Sequence, residues 1–306
     1  MVHYAKSFAK KRMASLLGDE LLIPFFLRSR PRQLSRQDAV YLKLARRYGA
    51  LIGNGAKTQD GHGKSDCVWS LWLQGEDKAP ELVKTCWNSM RLFVPGHELV
   101  LLDSKNLFDH VDIPGYIVDK WRQGRFSATH FSDIIRTELM CSHGGLWLDS
   151  TVLLTGELSV PVLESPLFVY KQLCLENSLD CPIVASSWFI SSDGRQRILS
   201  LTRDLLREYW KEHSYCIDYF LFHYFFAMST RRYSDDWDRV PLRNNHTPHE
   251  LLFELGSAYS ESRWQDLLKS SAVHKLSYKV PYKPQDGTIY SYIIGEYADE
   301  LNRRLR

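Results

Sequence analysis

Asp149 stands between two apolar runs, Leu146-Trp147-Leu148 and Val152-Leu153-Leu154. A carboxylate placed there must find a partner, because burying an unpaired charge costs several kcal/mol. At the carboxyl end of a sheet strand it would sit where open α/β folds place their ligands. Upstream, Asp133 and Arg136 are spaced to share one helical face with His130 and Thr137. An acid–base couple that interrupts an apolar helix just before a carboxylate-tipped strand suggests a site that holds a polar ligand by charge-assisted hydrogen bonds. The alternative is a solvated helix face carrying an ordinary surface ion pair.

The elements that must position these groups are legible around them. Ser127 to Ser142 reads as a helix whose buried face carries Phe131, Ile134, Ile135 and Leu139. Gly144-Gly145 ends it, since glycine takes the left-handed cap conformation at little steric cost. Upstream lie a strand over Val68 to Leu73, a helix over Pro80 to Met90 and a strand over Glu98 to Leu102. That order opens a nucleotide-binding α/β layer with a right-handed crossover. Downstream, Leu167 to Tyr170 and Ser186 to Ile190 read as strands, and Gln196 to Trp210 as a helix. An aromatic helix headed by Cys216 to Phe220 runs to Met228, and the polar stretch from Ser229 to His249 reads as a long loop over the site.

The chain has 306 residues, 44% hydrophobic and 25% charged, ordinary for a globular protein large enough to bury a sizeable core. Its net charge of +3 is too small to indicate nucleic acid. That charge is uneven: residues 1–47 hold eleven Lys or Arg against three Asp or Glu, which leaves the remainder net acidic. The basic segment could lie on an anionic membrane surface, or pack as a helical extension with a solvated basic face. Gly53 to Lys64 reads as a linker, so residues 1–66 form a basic helical extension and residues 67–306 the main domain. Six cysteines without a C-x-x-C pair suit free thiols in a reducing cytosol. No apolar run long enough to span a membrane and no signal peptide is present, so a cytoplasmic location is expected, peripheral to the membrane if the basic segment binds it.

Ser132-Asp133-Ile134-Ile135-Arg136 followed by Gly144-Gly145-Leu146-Trp147-Leu148-Asp149-Ser150-Thr151 resembles the capsular polysaccharide synthesis proteins. These are bacterial relatives of the glycosyltransferases with a DXD-type sugar-binding region. The similarity runs from about Val68 to about Tyr282. It implies a GT-A-type, Rossmann-like α/β fold with a mixed central sheet. It also implies a retaining transfer of a hexose from a nucleotide sugar, UDP by analogy, to a saccharide or lipid-linked saccharide in polysaccharide synthesis. A non-catalytic sugar-nucleotide or glycan-binding subunit of a capsule complex is the alternative.

Carried over residue by residue, the resemblance assigns Trp72 to stacking on the base, with core packing as its alternative. Asp133, Arg136 and Gly145 fall to the donor, and Asp149 to the ribose or a metal-bound water. His274, Lys275 and Lys279 match the cations that the family returns to the diphosphate, where charge develops as the bond breaks. Ser187 and Trp188 fall beside the acceptor. Asp218 either orients the acceptor hydroxyl or caps its helix. The motif departs from DXD at its last position: a neutral threonine hydroxyl is a weaker ligand for Mn²⁺ or Mg²⁺ than a carboxylate. A weakly held metal on Asp149, Thr151 and His274 is the expectation, with the lysines as its substitute.

Overall fold

The computed structural model describes residues 36–56, 63, 65–172 and 182–306. The chain divides into two compact units, Met1–Arg47 and Tyr48–Arg306. Of the first, residues 36–47 are described and form a helix. The amphipathic segment before residue 36 and most of the glycine-rich linker lie outside the described residues. Gly53 and Asn54, expected in that linker, instead end a short helix, Gly49–Asn54. Among the described residues, no helix is long and apolar enough to cross a membrane, and Cys67, Cys86, Cys141 and Cys216 are free.

In the second unit, β1 (Cys67–Leu71) leads through helix α1 (Glu81–Phe93) to β2 (Glu98–Leu102). Helix α2 (Ala128–Ser142) then delivers the chain to β3 (Gly145–Leu148). A five-stranded sheet forms in the order β2-β1-β3-β6-β5, with β5 at Leu167–Lys171 and β6 at Ala185–Ser192. Its β1–β2 and β1–β3 pairs are parallel, while β3–β6 and β5–β6 are antiparallel. This is the expected α/β architecture with a mixed central sheet. β3 lies in its centre and is buried throughout, as a strand covered on both faces must be.

The Ser127 hydroxyl accepts from the His130 N–H and caps α2. Gly144 and Gly145 follow the helix with φ of 65° and 88°. Both must also be bare: a Cβ would fall 2.6 Å from the Ser192 carbonyl oxygen at Gly144 and 2.5 Å from that of Cys67 at Gly145. Side chains then alternate along β3. Leu146 and Leu148 join the apolar cluster under α1, with Val83, Cys86 and Met90. Trp147 faces the other way, toward α2, and Asp149 shares its parity.

Helix α2 is buried nearly all round, its polar residues included. It packs on β3, β6, α3 (Arg197–Glu212) and α4 (Leu221–Arg232), so the solvated-face alternative does not hold. Glu138 accepts two bonds from Arg207 of α3, at 2.7 and 2.6 Å. The stretch expected as a long loop is largely helical. α4 continues to Arg232, and α5 (Ser234–Arg239) follows with Asp235 and Asp236 at its start, where carboxylates suit the helix dipole. Arg197 clamps Asp236 from α3 with bonds of 2.8 and 2.9 Å.

A second, two-stranded sheet pairs β4 (Val152–Leu154) with β7 (Val273–Lys275) in antiparallel register. It brings the late chain back to the residues just after Asp149. The terminal helix α6 (Ala298–Arg304) then closes over α1, with Leu301 buried and the Arg304 guanidinium 5.1 Å from the Phe93 ring centre.

Candidate active site

Arg136 joins two carboxylates. Its Nη1 lies 3.3 Å from Asp133 Oδ1 and its Nη2 3.3 Å from Asp149 Oδ1. Nη1 also donates to the Ser187 carbonyl at 2.6 Å. Nε and Nη2 donate to the Ser132 carbonyl and hydroxyl at 3.2 and 2.9 Å. The guanidinium lies over the Trp147 ring, 5.1 Å from its centre, and Trp147 Nε1–H donates to Asp149 Oδ1 at 2.9 Å. Helical spacing sets Asp133 beside Arg136, and strand alternation sets Asp149 on the face that Trp147 presents to α2. The exposures of the side chains differ: 7% for Asp133, 4% for Arg136 and 26% for Asp149. The network is therefore closed at Asp133 and open to a ligand at Asp149.

Burial raises the Asp133 carboxyl to about 6, against the pull of Arg136 and with a push from Asp149. Ser187 steadies its ionised form through a side-chain hydrogen bond. Behind it, His130 is driven down to about 4 by burial and then by Arg136. Trp210 Nε1–H donates to His130 Nε2 at 3.0 Å, which leaves the ring proton on Nδ1, 4.0 Å from Asp133 Oδ2. A neutral imidazole thus backs the carboxylate.

The return strand supplies a second cation. Lys275 Nζ donates to Thr151 Oγ1 at 2.6 Å and to the Leu276 carbonyl at 3.1 Å. Burial lowers its pKa, while the Asp149 charge raises it. His274 lies on the other face of β7. The residue is 1% exposed, its Nε2 is 3.0 Å from Thr155 Oγ1, and burial pulls its pKa down to about 4. The expected metal set is therefore not assembled, because adjacent residues of a strand point to opposite faces. Thr151 is engaged by an ammonium, and Asp149 Oδ1 by Arg136 and Trp147. Among the described residues, no group of three or more His, Cys, Asp or Glu could hold a metal ion. The side chains present do not fit a divalent cation held by Asp149, Thr151 and His274.

Trp69 pairs with Trp147 in the sheet register, and extending that register sets Trp72 level with Ser150. Trp72 stands edge-on to Tyr278 at 5.1 Å, and its Nε1 is buried without a hydrogen-bond partner. Lys279 is exposed, with Nζ 5.5 Å from the Tyr278 ring centre.

Four other expected site residues have other surroundings. Gly145 lies at the opposite end of β3 from Asp149, packed on the Cys67 backbone, so it shapes the strand and reaches no ligand there. Trp188 is buried and stacked on Tyr170 at 4.9 Å, in the core. Ser187 is turned to Arg136 and Asp133. Asp218 Oδ1 accepts from the Phe220 N–H at 3.0 Å and the Tyr224 hydroxyl at 3.1 Å, which fixes the entry to α4.

The sequence reading missed His223. Carried by α4, it lies within electrostatic reach of Arg136 and Asp149, and its Nδ1 is buried without a hydrogen-bond partner. Burial and then Arg136 push its pKa down to about 3. Its signal was a single histidine in the aromatic run Leu221 to Phe226, the same polar interruption that marks Asp133 and Arg136.

Residues 22–293 match the family described as capsular polysaccharide synthesis protein. The match extends past both ends of the stretch on which the sequence resemblance rests. No curated protein matches the chain. Among solved structures, the PaToxG glycosyltransferase is 10% identical with a TM-score of 0.40, over 85% of this chain and 98% of that one. The apo-form glycosyltransferase GlyE of Streptococcus pneumoniae TIGR4 is 14% identical with a TM-score of 0.40, over 79% of this chain and 63% of that one. The galactosyltransferase LgtC, in complex with donor and acceptor sugar analogs, is 12% identical with a TM-score of 0.36, over 78% of this chain and 94% of that one.

Proposed function

The chain belongs to the capsular polysaccharide synthesis protein family, and from that premise we propose that it is a GT-A-type glycosyltransferase. In this reading it moves a hexose from a UDP-sugar to a saccharide or lipid-linked saccharide, with retention at the anomeric carbon. The observation that carries the reading is the Asp133–Arg136–Asp149 chain, each contact at 3.3 Å, which ends on the partly open Asp149 at the carboxyl end of β3.

Trp72, with Tyr278 edge-on to it, would take the uracil base. Asp149 would accept from ribose or sugar hydroxyls, its Oδ1 already held by Arg136 and Trp147. Through Asp149, which they hold in place, Arg136 and Asp133 would fix the orientation of the hexose, which is where a transferase gains most over a solution encounter. Lys275 and Lys279 would face the diphosphate. In the step itself the bond from C1 to the β-phosphate oxygen breaks, and its electron pair leaves with the phosphate. The acceptor oxygen bonds to C1 on the same face and passes its proton to the departing phosphate oxygen. Asp149 is the one partly open carboxylate of this network, and its Oδ1 is tied to Arg136 and Trp147; a front-face course needs no covalent nucleophile from it.

The transferase domain would begin at Cys67. Residues 1–66 would extend it, with the basic part seating the enzyme on the inner, anionic face of the plasma membrane near a lipid-linked acceptor.

A thermal-shift screen of UDP-glucose, UDP-galactose and other nucleotide sugars tests the reading, since a ligand that binds only the folded state raises Tm. Stabilisation by one donor, with turnover lost in Asp149→Ala at unchanged folding, is the expected result. Binding without turnover in the wild type would favour the non-catalytic subunit. Binding of no nucleotide sugar would overturn the transferase reading and leave only the glycan-binding form of that subunit.

A further inference from the structure

We propose that Lys275 is the built-in cation of the diphosphate site, so that this protein binds a nucleoside diphosphate without a divalent metal. The proposal rests on the transferase reading and concerns the position at which the motif departs from DXD.

Two of the three ammonium protons of Lys275 go to neutral acceptors, Thr151 Oγ1 at 2.6 Å and the Leu276 carbonyl at 3.1 Å. Neither neutralises its charge. One N–H remains for an anion, and the positive charge is shared through space with Asp149. The ammonium is also held in place: Lys275 pairs with Val152 in the β4–β7 ladder, and the Leu276 N–H donates to the Thr151 carbonyl at 2.8 Å. A donor fixed before the ligand arrives needs little reorganisation as charge develops.

A dication at the same place meets three obstacles. Thr151 Oγ1 carries the Lys275 ammonium at 2.6 Å, and an ammonium and a dication sharing that oxygen repel. Asp149 Oδ1 already accepts from Trp147 and pairs with Arg136. His274, which would complete the set, faces Thr155 across the strand. A hard divalent cation at a phosphate site is held by one or two protein carboxylates, with water and phosphate oxygens filling the rest of its shell, and this end of β3 offers at most the remaining oxygen of Asp149. Part of the charge that a metal would bring is already present in Lys275.

Calorimetric titration of UDP into the full chain, first in EDTA and then in Mn²⁺, tests this directly. The wild type is expected to bind UDP with affinities within twofold of each other in the two buffers. Lys275→Met, apolar and of similar length, is expected to lose tenfold or more in EDTA. Lys275→Gln retains a donor toward Thr151 and guards against loss of folding; it is expected to show the same loss. Wild-type affinity that rises tenfold or more with Mn²⁺, or either variant binding within twofold of wild type, would overturn the proposal while leaving the transferase reading in place. No UDP binding by the wild type in either buffer would remove the reading and the proposal together.

Discussion

Arg136 answers to five partners at once: Asp133, Asp149, the Ser187 carbonyl, and the carbonyl and hydroxyl of Ser132. Only a planar fork of donors can do that, so lysine is no substitute. Arg136→Ala leaves Asp133 buried without its cation, driving its carboxyl further up, and should destabilise the fold by about 3–5 kcal/mol in chemical denaturation. Arg136→Lys should fold and lose donor turnover by about a hundredfold or more. On the proposed reading, Asp133 makes donor binding depend on pH through the Arg136–Asp149 pair that it supports. Its carboxyl, raised to about 6, is protonated below that value and ionised above it. UDP-sugar affinity should therefore rise between pH 5 and 7, and Asp133→Asn should remove that rise in calorimetry. His223 has a buried and unpartnered Nδ1 and lies within electrostatic reach of Arg136 and Asp149, which the proposed reading places at the sugar. His223→Phe should weaken UDP-sugar binding about tenfold and leave UDP unchanged, the worth of about one hydrogen bond.

At the scale of elements, the turn from α2 to β3 sets the geometry. Gly144 and Gly145 combine positive φ with backbone atoms within 2.6 Å of any added Cβ. Gly145→Ala must shift β3 against β1, which moves Asp149 relative to Arg136. Lower Tm and lower activity are expected together, whereas Ser127→Ala at the start of α2 should cost only about 1 kcal/mol. The helix and this turn were legible in the sequence, because apolar periodicity and a double glycine are local signals. The fate of residues 229–249 was not. Their polarity reads as loop, but Arg197 of α3 holds Asp236 and stabilises α5, a partner distant in sequence.

At the scale of the molecule, buried histidines link folding to pH. His130, His223 and His274 lie at about 4, 3 and 4, below the 6.5 of an exposed imidazole. The unfolded chain takes up protons on them below pH 6.5 while the folded chain does not, so their contribution to stability is present above that pH and lost as pH falls through 4. Asp133 acts oppositely: its raised carboxyl takes up a proton in the folded state near pH 6 and offsets part of the loss. Tm should fall from pH 6.5 to 4.5, and the fall should steepen in Asp133→Asn, which lacks the offset.

Chain-local physics determined the α/β class, the buried helix and strand, and the Asp133–Arg136–Asp149 set, because helical spacing, strand parity and the cost of an unpaired buried charge act within a short stretch. Only tertiary structure decided which of His274 and Lys275 reaches Thr151, since the sense of β7 depends on its register with β4. It likewise placed His223 by the site, Trp188 in the core and Gly145 at the far end of its strand. Each outcome depends on which face an element turns to a neighbour remote in sequence.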